Sequence, residues 1–328
     1  MVLASVAVVA FAVPASPATA FPGTTHRVED DPTISIRMLD IPAARVKDPR
    51  ARAYIVDHLK PGTTIHRRVE IQNSSPERQH IELYAAGATV RENVFTAFDG
   101  RGGNELSSWV RTEVPDIDLP PGAKRAVKVT ISVPESASRG ERYAALLAQV
   151  TKPPTDGSNI GQIRRVGVRI YLDVGPGGEP PTDFRIDGLT AGRGPGEWPV
   201  VTARVHNTGE RALDMNGTLT LSRESGTARV GPFSVTTGVT ILPGQTGQVS
   251  AEVTEPLAPG RWTARLVLTS GTVERETEGK LTFPVPVEAT AAEPAGRTGL
   301  VLSVGVGAVL AIAGTLLAWH LIRRSRCT

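Results

Sequence analysis

Ala126-Val127-Lys128-Val129-Thr130-Ile131-Ser132-Val133 alternates apolar and polar side chains without a break. Successive side chains of a strand point to opposite faces, so this octet places Val127, Val129, Ile131 and Val133 on one face and the polar residues on the other. A helix would scatter the same residues around its axis. Ile65-His66-Arg67-Arg68-Val69-Glu70-Ile71 and Val166-Gly167-Val168-Arg169-Ile170-Tyr171-Leu172 have the same character. Pro-Gly, Asn-Ser and Asn-Thr-Gly breaks separate the short runs, and almost no helical periodicity lies between them. The expected fold is all-β, as two tandem immunoglobulin-like β-sandwich domains.

Working outward from the octet, a repeat emerges. Upstream of it lies Leu119-Pro120-Pro121-Gly122, preceded by the Val69-Glu70-Ile71-Gln72-Asn73-Ser74 strand and turn; downstream comes the Gly140-Glu141-Arg142-Tyr143-Ala144 strand. The second half offers Val205-His206-Asn207-Thr208, then Leu242-Pro243-Gly244, then Gly260-Arg261-Trp262. The matching residues lie 134 (Asn73 to Asn207), 122 (Gly122 to Gly244) and 120 (Gly140 to Gly260) positions apart. Each copy reads as strand, Asn turn, strand, a Pro-Gly turn aiming the next strand, and a Gly-led closing strand. Residues 21–175 form the first expected sandwich, 176–182 a Pro/Gly hinge, and 183–285 the second sandwich. Residues 286–298, rich in Ala, Glu, Thr and Pro, are read as a stalk.

The two ends read differently. Residues 1–20 are uncharged and end in Ala18-Thr19-Ala20, a small-x-small pattern expected of a signal peptide, although no Lys or Arg precedes its apolar run. Gly299 to Ile322 holds no Asp, Glu, Lys or Arg and has the length of a transmembrane helix; Arg323, Arg324 and Arg326 follow it. The positive-inside rule then puts residues 323–328 in the cytoplasm and everything before Gly299 outside. A single-pass cell-membrane protein with extracellular N-terminal domains is the expected localisation.

Charge and cysteine exclude several function classes. The chain has 36 Lys and Arg against 33 Asp and Glu, and three of the Arg lie in the tail, leaving 33 of each sign before it. No basic footprint for nucleic acid exists in that balance. The one cysteine is Cys327, so residues 21–298 contain no thiol nucleophile and no disulfide. No Gly-x-Ser-x-Gly elbow, His-Glu-x-x-His pair or phosphate loop is present. His58 and His66, or Asp116 and Asp118, are the best acid–base or metal candidates; a hydrolase would need a deep pocket that gathers Asp116, Asp118 or His58. The reading is of a chain that is not an enzyme, with no metal and no cofactor.

For binding, the informative segment runs from Arg91 to Trp109. It is long, Gly-rich and polar, in a chain with only 5% aromatics. Phe95, Phe98, Asn104 and Trp109 are the candidate contacts for a glycan or a partner: rings to stack on sugars and an amide to bond hydroxyls. The bland alternative is that these rings fill the core beneath the loop.

The first module resembles the peptidoglycan-binding domain of the WxL-interacting protein family, surface proteins of Gram-positive bacteria. The resemblance rests on Leu59-Lys60-Pro61-Gly62, Val69-Glu70-Ile71-Gln72-Asn73-Ser74-Ser75, Trp109, Leu119-Pro120-Pro121-Gly122, Val133-Pro134-Glu135, Gly140 and Tyr143. It implies a first domain that binds peptidoglycan and a second that binds surface or host proteins. The expected partner is therefore peptidoglycan or a wall-associated surface protein, with the membrane engaged through Gly299 to Ile322. The alternative is an accessory subunit that recruits an exported protein by sheet-edge pairing. The sequence leaves the oligomeric state open.

Overall fold

The computed structural model describes residues 34–154, 160–194, 198–224, 227–258 and 260–283. The expected signal peptide, stalk, transmembrane stretch and tail lie outside these residues. Among the described residues no helix is long and apolar enough to cross a membrane. The single-pass membrane localisation expected above is corrected on that finding. The all-β expectation stands: the described chain is mainly strand, with two short α-helices and one 3-10 turn.

The chain divides into two compact units, the first reaching Glu179 and the second starting at Pro180, with Glu92–Val94 grouped with the second. Unit 1 contains β1 (Ile34–Met38), β2 (Ile55–Leu59), β3 (Thr64–Asn73), β4 (Gln79–Arg91), β5 (Val94–Ala97), β6 (Val110–Thr112), β7 (Asp116–Leu119), β8 (Lys124–Ser132), β9 (Gly140–Lys152) and β10 (Gln162–Val174). Helices α1 (Arg50–Ala53) and α2 (Glu105–Trp109) sit between strands. One sheet has the order β1-β3-β8-β6; the other runs β2-β10-β9-β4-β5, with β7 also on β4.

The octet that set the fold class lies in and just beyond β8. Val127, Val129 and Ile131 are buried, and they share one core with Val69 and Ile71 of β3 and with Leu146, Ala148, Val168 and Ile170 of the other sheet. The apolar parity of each strand thus faces the opposite sheet, which makes this unit a two-layer structure around one core. The chain changes sheets early. β1 pairs antiparallel with β3, whereas β2 pairs in parallel with β10. Pro42 and Pro49 lie between them, and proline has no N–H to continue a ladder. The crossing is instead made by the 3-10 turn Ala43–Arg45 and by α1.

Unit 2 contains β11 (Phe184–Arg193), β12 (Pro199–Asn207), β13 (Leu213–Asp214), β14 (Asn216–Arg223), β15 (Arg229–Ser234), β16 (Thr240–Ile241), β17 (Thr246–Glu252), β18 (Arg261–Ser270) and β19 (Val273–Thr282). Its sheets are β11-β12-β17, β13-β16 and β15-β14-β18-β19, closed around a core that includes Val205, Leu219, Val249, Trp262 and Leu266.

The internal repeat is structural. Asn73, fully buried, donates from Nδ2 to the carbonyls of Glu77, Leu119 and Pro120 at 2.7, 2.9 and 3.1 Å, and accepts from the Ser75 N–H. Asn207, equally buried, donates to Arg211 and Ile241 carbonyls at 2.8 and 2.9 Å and accepts from the Gly209 N–H. In both units the amide ties its own turn to the chain just ahead of the Pro-Gly turn. Those turns agree as well. Ala123 N–H bonds to Pro120 O and Gln245 N–H to Leu242 O, with Gly122 at φ 71° and Gly244 at φ 72°. This is the geometry of a type II turn, with proline second and a left-handed residue third.

Candidate functional site

The Arg91–Trp109 segment is built inward. Phe95 is buried against Tyr171 (ring centroids 5.3 Å) and Tyr143 (6.4 Å). Phe98 is half-buried, its ring so close to Gly87 that a Cβ there would lie 2.7 Å from Cδ2. Asn104 caps α2: its Oδ1 accepts from Ser107 N–H at 2.9 Å, and its Nδ2 donates to Tyr143 O at 2.7 Å. Trp109 is buried, with the Arg142 guanidinium 5.2 Å from its ring. All four residues hold the loop onto the sheet. Neither Phe95 nor Trp109 presents a free ring face of the kind a sugar would stack on.

The acid–base candidates are kept apart. His58 on β2 places Nδ1 2.5 Å from Asp173 Oδ2, while His66 on β3, in the other sheet, meets Thr130 Oγ1 at 3.0 Å. Asp116 and Asp118 are exposed on β7, flanking buried Ile117, and Asp118 meets His80 at 3.1 Å. β7 pairs β4 at the end of the sheet away from β2, so Asp116, Asp118 and His58 do not converge. Among the described residues no cluster of His, Cys, Asp and Glu could hold a metal ion.

The unusual feature lies at the other edge of that sheet. β10 pairs with β9 along its whole length, from Gln162 opposite Lys152 to Val174 opposite Gly140. Its other side pairs with β2 only from Ile170 to Val174. From Gln162 to Arg169 no described strand lies on that side. In an antiparallel ladder every second residue aims its N–H and C=O away from its partner, so this half of β10 presents a row of backbone donors and acceptors.

Local chemistry explains why β2 begins where it does. Tyr54, just ahead of it, donates its N–H to Arg50 O and closes α1. Its ring packs on buried Tyr171 at 5.8 Å. The Arg169 guanidinium lies 5.3 Å from the Tyr54 ring and 4.9 Å from that of Phe95, a cation–π arrangement that fills the outer face of the sheet at this point. The segment behind Tyr54 is fixed by buried charge. Asp48 accepts from the Arg50 backbone and guanidinium, and Asp57 accepts twice from Arg67 Nη2 at 2.8 Å. Burial holds the Arg45 guanidinium below its ordinary pKa, against the attraction of Asp57 and Asp48.

Before Arg169 no described strand covers this edge. Val166 is partly buried against the core, whereas Ile163 is 60% exposed and Ile160, just before the strand, 76%. Two edge strands of unit 2 are blunted. β19 carries Glu274, Arg275, Glu276, Glu278 and Lys280, and β11 is interrupted by a register shift between Ile186 and Gly188. Sequence reading identified Val166–Leu172 as a strand but not as an edge. Edge position depends on where β2 lands, and no local residue pattern encodes that.

No family model matches this chain, and no curated protein does. Among solved structures it is similar to the YadV chaperone (11% identity, 76% of this chain and 100% of that one, TM-score 0.39). It is also similar to the E. coli chaperone DraB (9%, 69% and 95%, TM-score 0.36) and to the Pseudomonas aeruginosa CupB2 chaperone (12%, 69% and 96%, TM-score 0.34). Likenesses of this strength carry no argument about function.

Proposed function

We propose that this chain is a non-catalytic binding protein that captures an extended segment of a partner protein by strand addition to the uncovered half of β10. The observation that carries the reading is the mismatch between a 13-residue strand and a 5-residue edge partner, which leaves Gln162–Val168 with no described strand beside it. Main-chain hydrogen bonds supply affinity in this mode, and alternate side chains supply specificity. In this reading both units are immunoglobulin-like sandwiches, and the first is the recognition module. A wall-associated protein, the partner class implied by the WxL-interacting resemblance, fits the mode. Peptidoglycan fits less well, because Phe95 and Trp109 are committed to packing.

The test is amide hydrogen exchange on the full chain, with and without seven-residue segments selected on it from a displayed random library. Alternate amides between Gln162 and Arg169 are expected to slow at least tenfold on binding, with those of β19 unchanged. Selected segments that bind and leave these amides unprotected would overturn the reading. Retention on purified sacculi that is abolished by muramidase, again without protection of β10, would return the function to glycan binding.

A further inference from the structure

We infer that the segment taken by this edge alternates apolar and acidic side chains over about seven residues; the inference rests on the strand-addition reading above. The span follows from the cover. From Gln162 to Val168 the edge is about 23 Å long at ~3.3 Å per residue, and it ends where Arg169 is held between Tyr54 and Phe95.

The two faces of the added strand follow from parity. Val166 and Val168 share a parity with Ile170, Leu172 and Val174 and lean into the core; Val168 is buried and Val166 partly so. A neighbouring strand would set every second side chain beside them, where only apolar groups extend the core without leaving a polar group unpaired. The other parity carries Ile163, Arg165, Gly167 and Arg169 on the outer face. A Cβ on Gly167 would lie 2.6 Å from Leu147 Cδ2, so Leu147 fills that place. Charge on this face is set by Arg165 and Arg169, with Arg164 at the rim of the inner face.

The nearest acid across the outer face, Glu82 of β4, lies beyond Gln149 from Arg165 and is already held by Arg101 at 2.6 Å. No Asp or Glu occurs from Gln162 to Arg169, nor in the paired stretch Leu147–Lys152, nor in β1, which packs against β10 from the other sheet. Arg164 and Arg165 are exposed and make no ion pair with a described residue. Lys152, opposite Gln162 on β9, already has Glu77. In a chain whose charges otherwise balance, this edge is locally basic, and an incoming strand with acidic residues on its outer face would complement it.

The experiment measures binding of three acetylated, amidated peptides to the full chain: Val-Glu-Val-Asp-Val-Glu-Val, the same peptide with Thr at its acidic positions, and the same with Lys. The acidic peptide is expected to bind at least tenfold more tightly than the Thr peptide, and the Lys peptide more weakly than both. The advantage should shrink as salt is raised from about 50 to about 500 mM. Arg165→Gln, at the exposed outer-face position, should reduce the ratio of acidic- to Thr-peptide affinity, whereas Arg164→Gln, on the inner face, should change that ratio less. Equal binding of acidic and Thr peptides, with alternate β10 amides protected in both, would overturn the charge inference and leave the edge reading standing. Failure of all three peptides, together with unprotected β10 amides for every library-selected segment, would overturn the edge reading itself.

Discussion

At the scale of single residues, the two buried asparagines do work that no apolar residue could. The buried Asn73 side chain shares its two amide hydrogens among three carbonyls and accepts from one N–H, and Asn207 donates to two carbonyls and accepts from one N–H. Removing the amide takes one bond from each of these groups; Pro120 O keeps the Ala123 N–H, Glu77 O keeps the Ser75 hydroxyl and Gly209 N–H keeps Asp183 O, while any group left with no other partner costs about 1–3 kcal/mol where no water enters. Asn73→Ala is therefore expected to destabilise unit 1 by roughly 3 kcal/mol, read from the denaturant midpoint at constant slope. Asn73→Asp should be at least as damaging, because a carboxylate would face three carbonyl oxygens. The Pro-Gly turns make a smaller and purely conformational demand. Gly122 sits at φ 71° with nothing within 4 Å of a Cβ placed there. Gly122→Ala is thus expected to cost about 1 kcal/mol, the ordinary penalty of a left-handed L-residue, in the same denaturant measurement. These residues were legible in the sequence because their turns are local: Pro-Gly and Asn-x-Ser or Asn-x-Gly mark their own geometry.

At the scale of elements, legibility falls with the sequence distance a feature must span. The strands around Ile65–Ile71, Ala126–Val133 and Val166–Leu172 could be read from alternation alone, because a strand with one buried face carries its period in itself. What could not be read is which strand lies beside which. β2 lands on β10 more than a hundred residues away, and the open edge exists only because of where it stops. The Arg91–Trp109 loop shows a related limit. Binding and core packing were both open for its rings, because the partners of Phe95, Tyr143 and Tyr171, come from distant strands. Close packing between neighbouring strands also gives a test at this scale. A Cβ on Gly217 of β14 would lie 2.2 Å from the Val267 carbonyl of β18. Gly217→Ala must push these paired strands apart and is expected to destabilise unit 2 by about 1–3 kcal/mol, seen as faster exchange of the β14 and β18 amides. Gly188→Ala, where nothing lies within 4 Å, is the control and should leave exchange nearly unchanged.

At the scale of the whole molecule, the repeat and the absence of cysteine before residue 327 carry one consequence together. Without a disulfide, each unit must be held by burial, and the apolar residues fall into two separate clusters. The first closes on Ile131 and Leu146, and the second on Leu219 and Leu266, with no residue in common. A large-to-small change in either core costs about 2–5 kcal/mol through lost transfer energy and the cavity left behind. Ile131→Ala is accordingly expected to lower only the unfolding transition reported by Trp109, and Leu266→Ala only that reported by Trp262. The measurement is thermal unfolding of the full chain, with Trp109 and Trp262 in turn replaced by Phe to separate their signals. Independent shifts would show that each repeat is its own cooperative unit, so that the open edge of β10 is supported by the core of unit 1 alone. If either substitution moved both transitions equally, stability would be shared along the chain, and the strand-addition edge would have to be tested for sensitivity to changes as remote as Leu266.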